Sequence, residues 1–103
     1  MPKRLIALYG GTDILVDGCP VLVGRDPRCD VRLDSIRVSR LHCCLAVADG
    51  ELVVRDLGSA NGSWINGRRV ELGRLRPGDE LSIALLRYRV GDARDDESTR
   101  MRA

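Results

Sequence analysis

The chain has 103 residues, 44% of them apolar, and its 17 Lys+Arg against 15 Asp+Glu leave a formal net charge of +2. That length supports one small core, and the charge is too mild for the electrostatic footprint of a dedicated nucleic-acid binder, so any anion site must be built locally from a few placed groups. Phe is absent and only Trp64, Tyr9 and Tyr88 are aromatic, so Val, Leu and Ile must fill the interior, a choice that favours strands.

The start, MPKRLIALYGG, is basic, but its apolar run is shorter than the roughly seven residues a signal peptide needs, and no stretch approaches a membrane span. The expected setting is cytoplasmic, with no membrane partner. Short apolar or alternating runs then recur between Gly, Pro, Asn and Asp, and none keeps a helical period. They place strands at 3–9, 20–23, 30–33, 41–48, 51–57, 63–65, 68–70, 80–84 and 86–90, an all-β sandwich or barrel.

Alternation turns Val31, Leu33, Leu81 and Ile83 inward and Asp30, Arg32, Glu80 and Ser82 outward. Asp49-Gly50, Asn61-Gly62 and Asn66-Gly67 suit turns with positive φ, and Pro77-Gly78 suits a type II turn. Cys19, Cys29, Cys43 and Cys44 form no C-x-x-C pair, so neither a disulfide framework nor a metal site is expected; they read as small buried hydrophobes. A folded domain is expected over 1–91. The segment 92–103 is dense in charge and reads as a disordered tail, with Thr99 in it as a candidate phosphorylation site.

Three loop motifs stand out together: VGRDPRCDVRL at 23–33, VSRLH at 38–42 and DLGSANGSWING at 56–67. In order and spacing they resemble the forkhead-associated (FHA) family, from about Val21 to Val90. The resemblance implies a two-sheet β-sandwich of short, mostly antiparallel strands with binding loops at one end. It further implies a phosphothreonine-dependent interaction module that docks on partners marked by a Ser/Thr kinase, and needs no cofactor.

On that resemblance Arg25 and Ser39 contact the phosphate, and Arg40 supplies a further phosphate contact. The residue types agree, since an Arg fork and a Ser hydroxyl are both good phosphate donors. Asn61 reads the peptide main chain and is expected in a left-handed turn conformation. Arg37 faces the third residue after the phosphothreonine. Gly24, His42 and Gly62 support the site, with Gly24 letting the backbone pass close by and His42 tying the loops together. Asn66 is a turn residue.

Two positions depart from the family pattern: Ala60, where relatives place a hydroxyl or basic residue, and Leu41, where a polar residue is commoner and packing is expected instead. Ala60 keeps an alternative open, a phosphate-independent scaffold or self-association FHA domain. A hydrolase built on Ser39, His42 and Asp56 is disfavoured because no Gly-x-Ser-x-Gly elbow surrounds the serine, so no catalysis is expected.

Overall fold

The computed structural model describes residues 2–91; the tail expected at 92–103, with Thr99, lies outside the described residues. Eleven strands follow in chain order: β1 Lys3–Ala7, β2 Ile14–Val16, β3 Val21–Gly24, β4 Val31–Arg32, β5 Cys43–Ala48, β6 Glu51–Asp56, β7 Ser63–Ile65, β8 Arg68–Val70, β9 Leu72–Leu75, β10 Glu80–Ile83 and β11 Leu86–Val90. They form a six-stranded sheet, β2-β1-β11-β10-β7-β8, and a five-stranded sheet, β4-β3-β5-β6-β9. Every pairing is antiparallel except β3 with β4.

The two inner faces supply one core, in which Leu5, Ile14, Val23, Leu45, Val54, Leu81 and Ile83 are essentially inaccessible to solvent. Alternation places them there: in β10 Leu81 and Ile83 are buried while Glu80 and Ser82 are half-exposed. With no Phe available, branched aliphatic side chains do the filling, and Tyr88 is the one aromatic among the buried residues.

Nine of these strands coincide with expected ones, and two lay outside the expectation. β2 is only three residues long, yet Ile14 and Val16 are sealed in the core while Leu15 points out. β9 is interrupted by Gly73, whose missing side chain leaves room for Ile65. Both sit at sheet edges, where short or Gly-containing strands occur and leave little periodic signal.

The turns sort by backbone angle. Asp49-Gly50 and Asn66-Gly67 are left-handed at both residues, as a type I′ hairpin requires. Asn61 departs from expectation, because only Gly62 of that pair has positive φ (86°). Ala84 is left-handed (φ 54°) although the 80–84 run read as strand, and it ends β10.

Of the cysteines Cys29 and Cys43 are buried, but Cys19 is exposed and Cys44 half-buried, correcting their reading as a buried set. Cys19 lies in the turn before β3, and Cys44 sits on the outer face of β5, opposite Cys43. Burial pushes the Cys43 thiol up to about 12. Leu41 is 43% exposed rather than packed, since it lies in the loop before β5, where no second sheet covers it.

Ile14→Ala should lower unfolding stability by about 2–5 kcal/mol, whereas Leu15→Ala should change it by no more than about 0.5 kcal/mol. Urea denaturation of the two variants checks whether β2 contributes to the core.

Candidate functional site

The polar chemistry gathers where three loops meet: 25–30 after β3, 33–42 before β5, and 57–62 before β7. Each is bonded to its neighbour through the backbone. Arg25 N–H donates to the Ser39 carbonyl at 3.0 Å, Asp26 N–H to that of Arg40 at 3.1 Å, and Leu57 N–H to that of His42 at 2.9 Å.

His42 is fully buried at the junction. Its Nδ1 accepts the Ser39 N–H at 3.0 Å, so the ring proton sits on Nε2, which donates to the Gly62 carbonyl at 2.8 Å. One imidazole thereby joins the second loop to the third. With both nitrogens engaged it has none left for the Ser39 hydroxyl. That same Gly62 carbonyl accepts the Ala84 N–H at 3.0 Å, which the left-handed backbone of Ala84 makes accessible and which brings the β10–β11 turn into the cluster.

Beneath the third loop lies Asp56, which sequence reasoning considered only as a disfavoured catalytic group. Its Oδ1 accepts hydrogen bonds from the Ser59 and Ser63 hydroxyls, both at 2.7 Å. Its Oδ2 accepts the Gly58 and Ser59 amides at 3.1 and 2.9 Å, and Ser59 Oγ in turn accepts the Gly62 N–H at 2.9 Å. Burial opposes ionisation of this carboxyl, but the bonds from Ser63 and Ser59 outweigh it and hold it below the usual carboxylate range. The spacing Asp56-x-x-Ser59 is that of a side chain folding the backbone into a turn, the signal that could have marked it.

The expected site residues fall as follows. Arg25 is half-exposed; its Nε donates to the Val38 carbonyl at 3.1 Å, and it forms no ion pair among the described residues. Ser39 Oγ accepts the Ala60 N–H at 3.0 Å, which leaves the hydroxyl proton to donate outward. Asn61 is exposed and its Nδ2 donates to the Arg37 carbonyl at 2.7 Å, linking the third loop to the second. Arg37 shares a cavity of about 260 Å³ with Asn61, Trp64, Leu85 and Arg87.

Gly24 sits where a Cβ would collide with the Arg40 carbonyl and lie 3.0 Å from Cys29 Sγ. Gly62 is held from three sides through its N–H and carbonyl. Asn66 sits apart from the cluster: it closes its own turn on Asp79 and Glu80.

Arg40 is not left open. Its Nη2 donates to Asp26 Oδ2 at 3.3 Å, and Asp26, although 4% exposed at its side chain, also takes the Arg28 Nε and Nη2 at 3.0 and 3.1 Å. Hydrogen bonds from Arg28 hold the Asp26 carboxyl well below the usual range. Among the described residues no group of His, Cys, Asp and Glu could hold a metal ion, and no helix is long and apolar enough to cross a membrane.

Two packed sheets whose end loops, rather than faces, carry a cross-braced set of polar groups define a loop-presenting β-sandwich domain. A model of the FHA domain matches residues 21–84, and the chain belongs to that family.

Among curated proteins it is 35% identical over 91 residues to the glycogen accumulation regulator GarA of Mycolicibacterium smegmatis, a match covering 86% of this chain and 58% of that protein. The chain thus spans little more than half the length of that relative. The crystal structure of Mycobacterium tuberculosis Rv1747 FHA-1 superposes with a TM-score of 0.69 at 34% identity, covering 89% of this chain and all of that one. Mycobacterium tuberculosis EmbR in complex with a low-affinity phosphopeptide gives 0.80 at 25% identity, covering 87% of this chain and 24% of that one.

The Asp56 network sets a pH dependence. A carboxyl whose folded pKa lies below its unfolded value of about 3.9 contributes stability that is complete above that value and is lost as pH falls through the folded one. Thermal melts from pH 7 to pH 2 should therefore show an acid limb below about pH 4. Asp56→Asn should lower stability at pH 7 by about 1–3 kcal/mol and shallow that limb, the remainder belonging to Asp26 and other carboxyls.

Proposed function

We propose that this chain is a phosphothreonine-dependent docking module, recognising partners marked by a Ser/Thr kinase and carrying out no chemistry itself. The observation that carries the reading is Arg25: its guanidinium is pinned through Nε to the Val38 carbonyl, beside Ser39, with no carboxylate among the described residues to neutralise it. A pinned guanidinium loses little further freedom on binding, and its terminal nitrogens can meet two phosphate oxygens. Ser39 adds a donor whose direction the Ala60 amide constrains.

Asn61 presents its side-chain oxygen to the peptide main chain while its Nδ2 stays on the Arg37 carbonyl. Arg37, on the same side, faces the peptide after the phosphothreonine. Arg40 reaches the phosphate only by sharing its guanidinium with Asp26, a weaker role than that of Arg25. Gly24, His42 and Gly62 act by holding the loops. The domain over 1–91 is the unit that binds. EmbR bound to a phosphopeptide, cited above, supports this reading by kinship.

In titration calorimetry a phosphothreonine peptide should bind, its phosphoserine version at least about fourfold more weakly for loss of one buried methyl, and its unphosphorylated version not measurably. Arg25→Ala should cost about a hundredfold in affinity or more with an unchanged melt, and Arg25→Lys should recover little because an ammonium lacks the fork. Equal binding of all three peptides would replace this reading with the phosphate-independent scaffold.

A peptide series varying only the third residue after phosphothreonine should favour Asp or Glu over Lys by about fivefold at low salt, less at high salt. Arg37→Ala should abolish that preference and keep phosphate binding.

A further inference from the structure

Asp26 and Arg40 follow Arg25 and Ser39 directly in sequence, and the two backbones are bonded residue to residue there. The Asp26 carboxylate is buried, whereas the guanidinium-bearing side chains on it are largely exposed, Arg28 by 77% and Arg40 by 71%. Oδ2 of Asp26 accepts Nη2 of both arginines, at 3.1 Å from Arg28 and 3.3 Å from Arg40. Arg28 is further fixed by its own amide, which donates to Asp26 Oδ1 at 2.8 Å.

Two guanidinium groups this close repel one another unless an anion lies between them. Here the anion is underneath, inside the loop, and the cations face water. They carry two charges over one counter-charge. The pair therefore retains one positive charge, preorganised, with donors on the solvent side that Asp26 does not use.

Its place relative to the peptide follows from the loop. Arg37 precedes Ser39 in the loop and is bonded through its carbonyl to Asn61 of the third loop, whereas Arg40 follows Ser39 and is paired, with Arg28, to Asp26 of the first. Resting on the phosphothreonine reading above, we infer that Arg28 and Arg40 form a second anion subsite, which takes an acidic group on the partner N-terminal to the phosphothreonine. Two sources offer that chemistry, an Asp or Glu carboxylate and a second phosphorylated residue. Asp26 is the positioning residue.

The test is calorimetry at low salt with one phosphothreonine peptide sequence, its upstream positions one to five otherwise Ala. One set carries a single Glu and another a single phosphoserine at each of those positions. At the best position, Glu should raise affinity by about fivefold and phosphoserine by about tenfold or more. Arg28→Ala should erase both gains and leave the affinity of the all-Ala peptide unchanged, while lowering the melting temperature because it strips two side-chain hydrogen bonds from the buried Asp26 carboxylate. Asp26→Asn should shrink the gains by freeing both arginines.

A gain from phosphoserine alone assigns the subsite to doubly phosphorylated partners; a gain from both assigns it to acidic flanks generally. Absence of any gain, or gains that survive Arg28→Ala, would overturn the subsite while the phosphothreonine reading stands. If no phosphorylated peptide binds in any arm, both fall together.

Discussion

Everything at the loop end depends on one buried imidazole. His42 accepts a hydrogen bond from the Ser39 amide and donates one to the Gly62 carbonyl, so a residue of the second loop and a residue of the third are fixed to opposite ends of a rigid ring. A side chain with only one polar end could not do this, and a charged one would need a counter-ion in the core. Gly62 is glycine for two reasons: its φ is positive, and a Cβ there would lie 2.8 Å from Arg69 Nε and Trp64 Nε1.

The Asp56 carboxylate does for the third loop what His42 does between loops. It faces two hydroxyls and two amides, and through Ser59 Oγ its influence reaches the Gly62 N–H. Every buried side-chain nitrogen or oxygen among the described residues has a hydrogen-bond partner, so this end is closed internally without a ligand. In the proposed reading that matters for affinity. Loops already ordered forfeit little conformational entropy on binding, and the ligand's groups meet donors that need not be assembled.

How much of this was legible in the sequence differs by layer. Strands such as β6, β10 and β11 alternate cleanly and were placed within a residue or so of their ends, because one face of each must be apolar. β2 and β9 were not, since three residues or a Gly-interrupted four cannot show a period; their place is decided by tertiary packing against Leu5 and Ile65 respectively. At the loops, motif order brought Arg25, Ser39, His42 and Asn61 forward and the geometry puts them in one cluster. The Asn61 turn was misjudged because Asn-Gly reads as a type I′ hairpin, whereas here Asn61 spends its side chain on the Arg37 carbonyl and Gly62 alone turns left-handed. Asp26 was invisible as an organiser, because nothing local says that an Asp before Pro will be buried under two arginines.

Ala60 shows why the departure from the family pattern need not empty the site. A side chain there would add a donor, but the Ala60 backbone amide is itself a donor, already spent on Ser39 Oγ. That bond occupies one lone pair of the hydroxyl and confines its proton to the remaining directions, away from Ala60. What Ala60 removes is one contact, not the orientation of the neighbouring one. A charge-assisted donor adds about 1.5–3 kcal/mol when fully engaged, so in the proposed reading its loss would weaken binding without redirecting it. The deficit also leaves the exposed rim beside Ser39 small and apolar. A phosphate held by Arg25 and Ser39 would thus depend more heavily on the arginines of the first two loops than on the third. In the proposed reading, anion binding would therefore lean toward the first two loops, where the buried Asp26 carboxylate orders the Arg28 and Arg40 guanidinium groups at once.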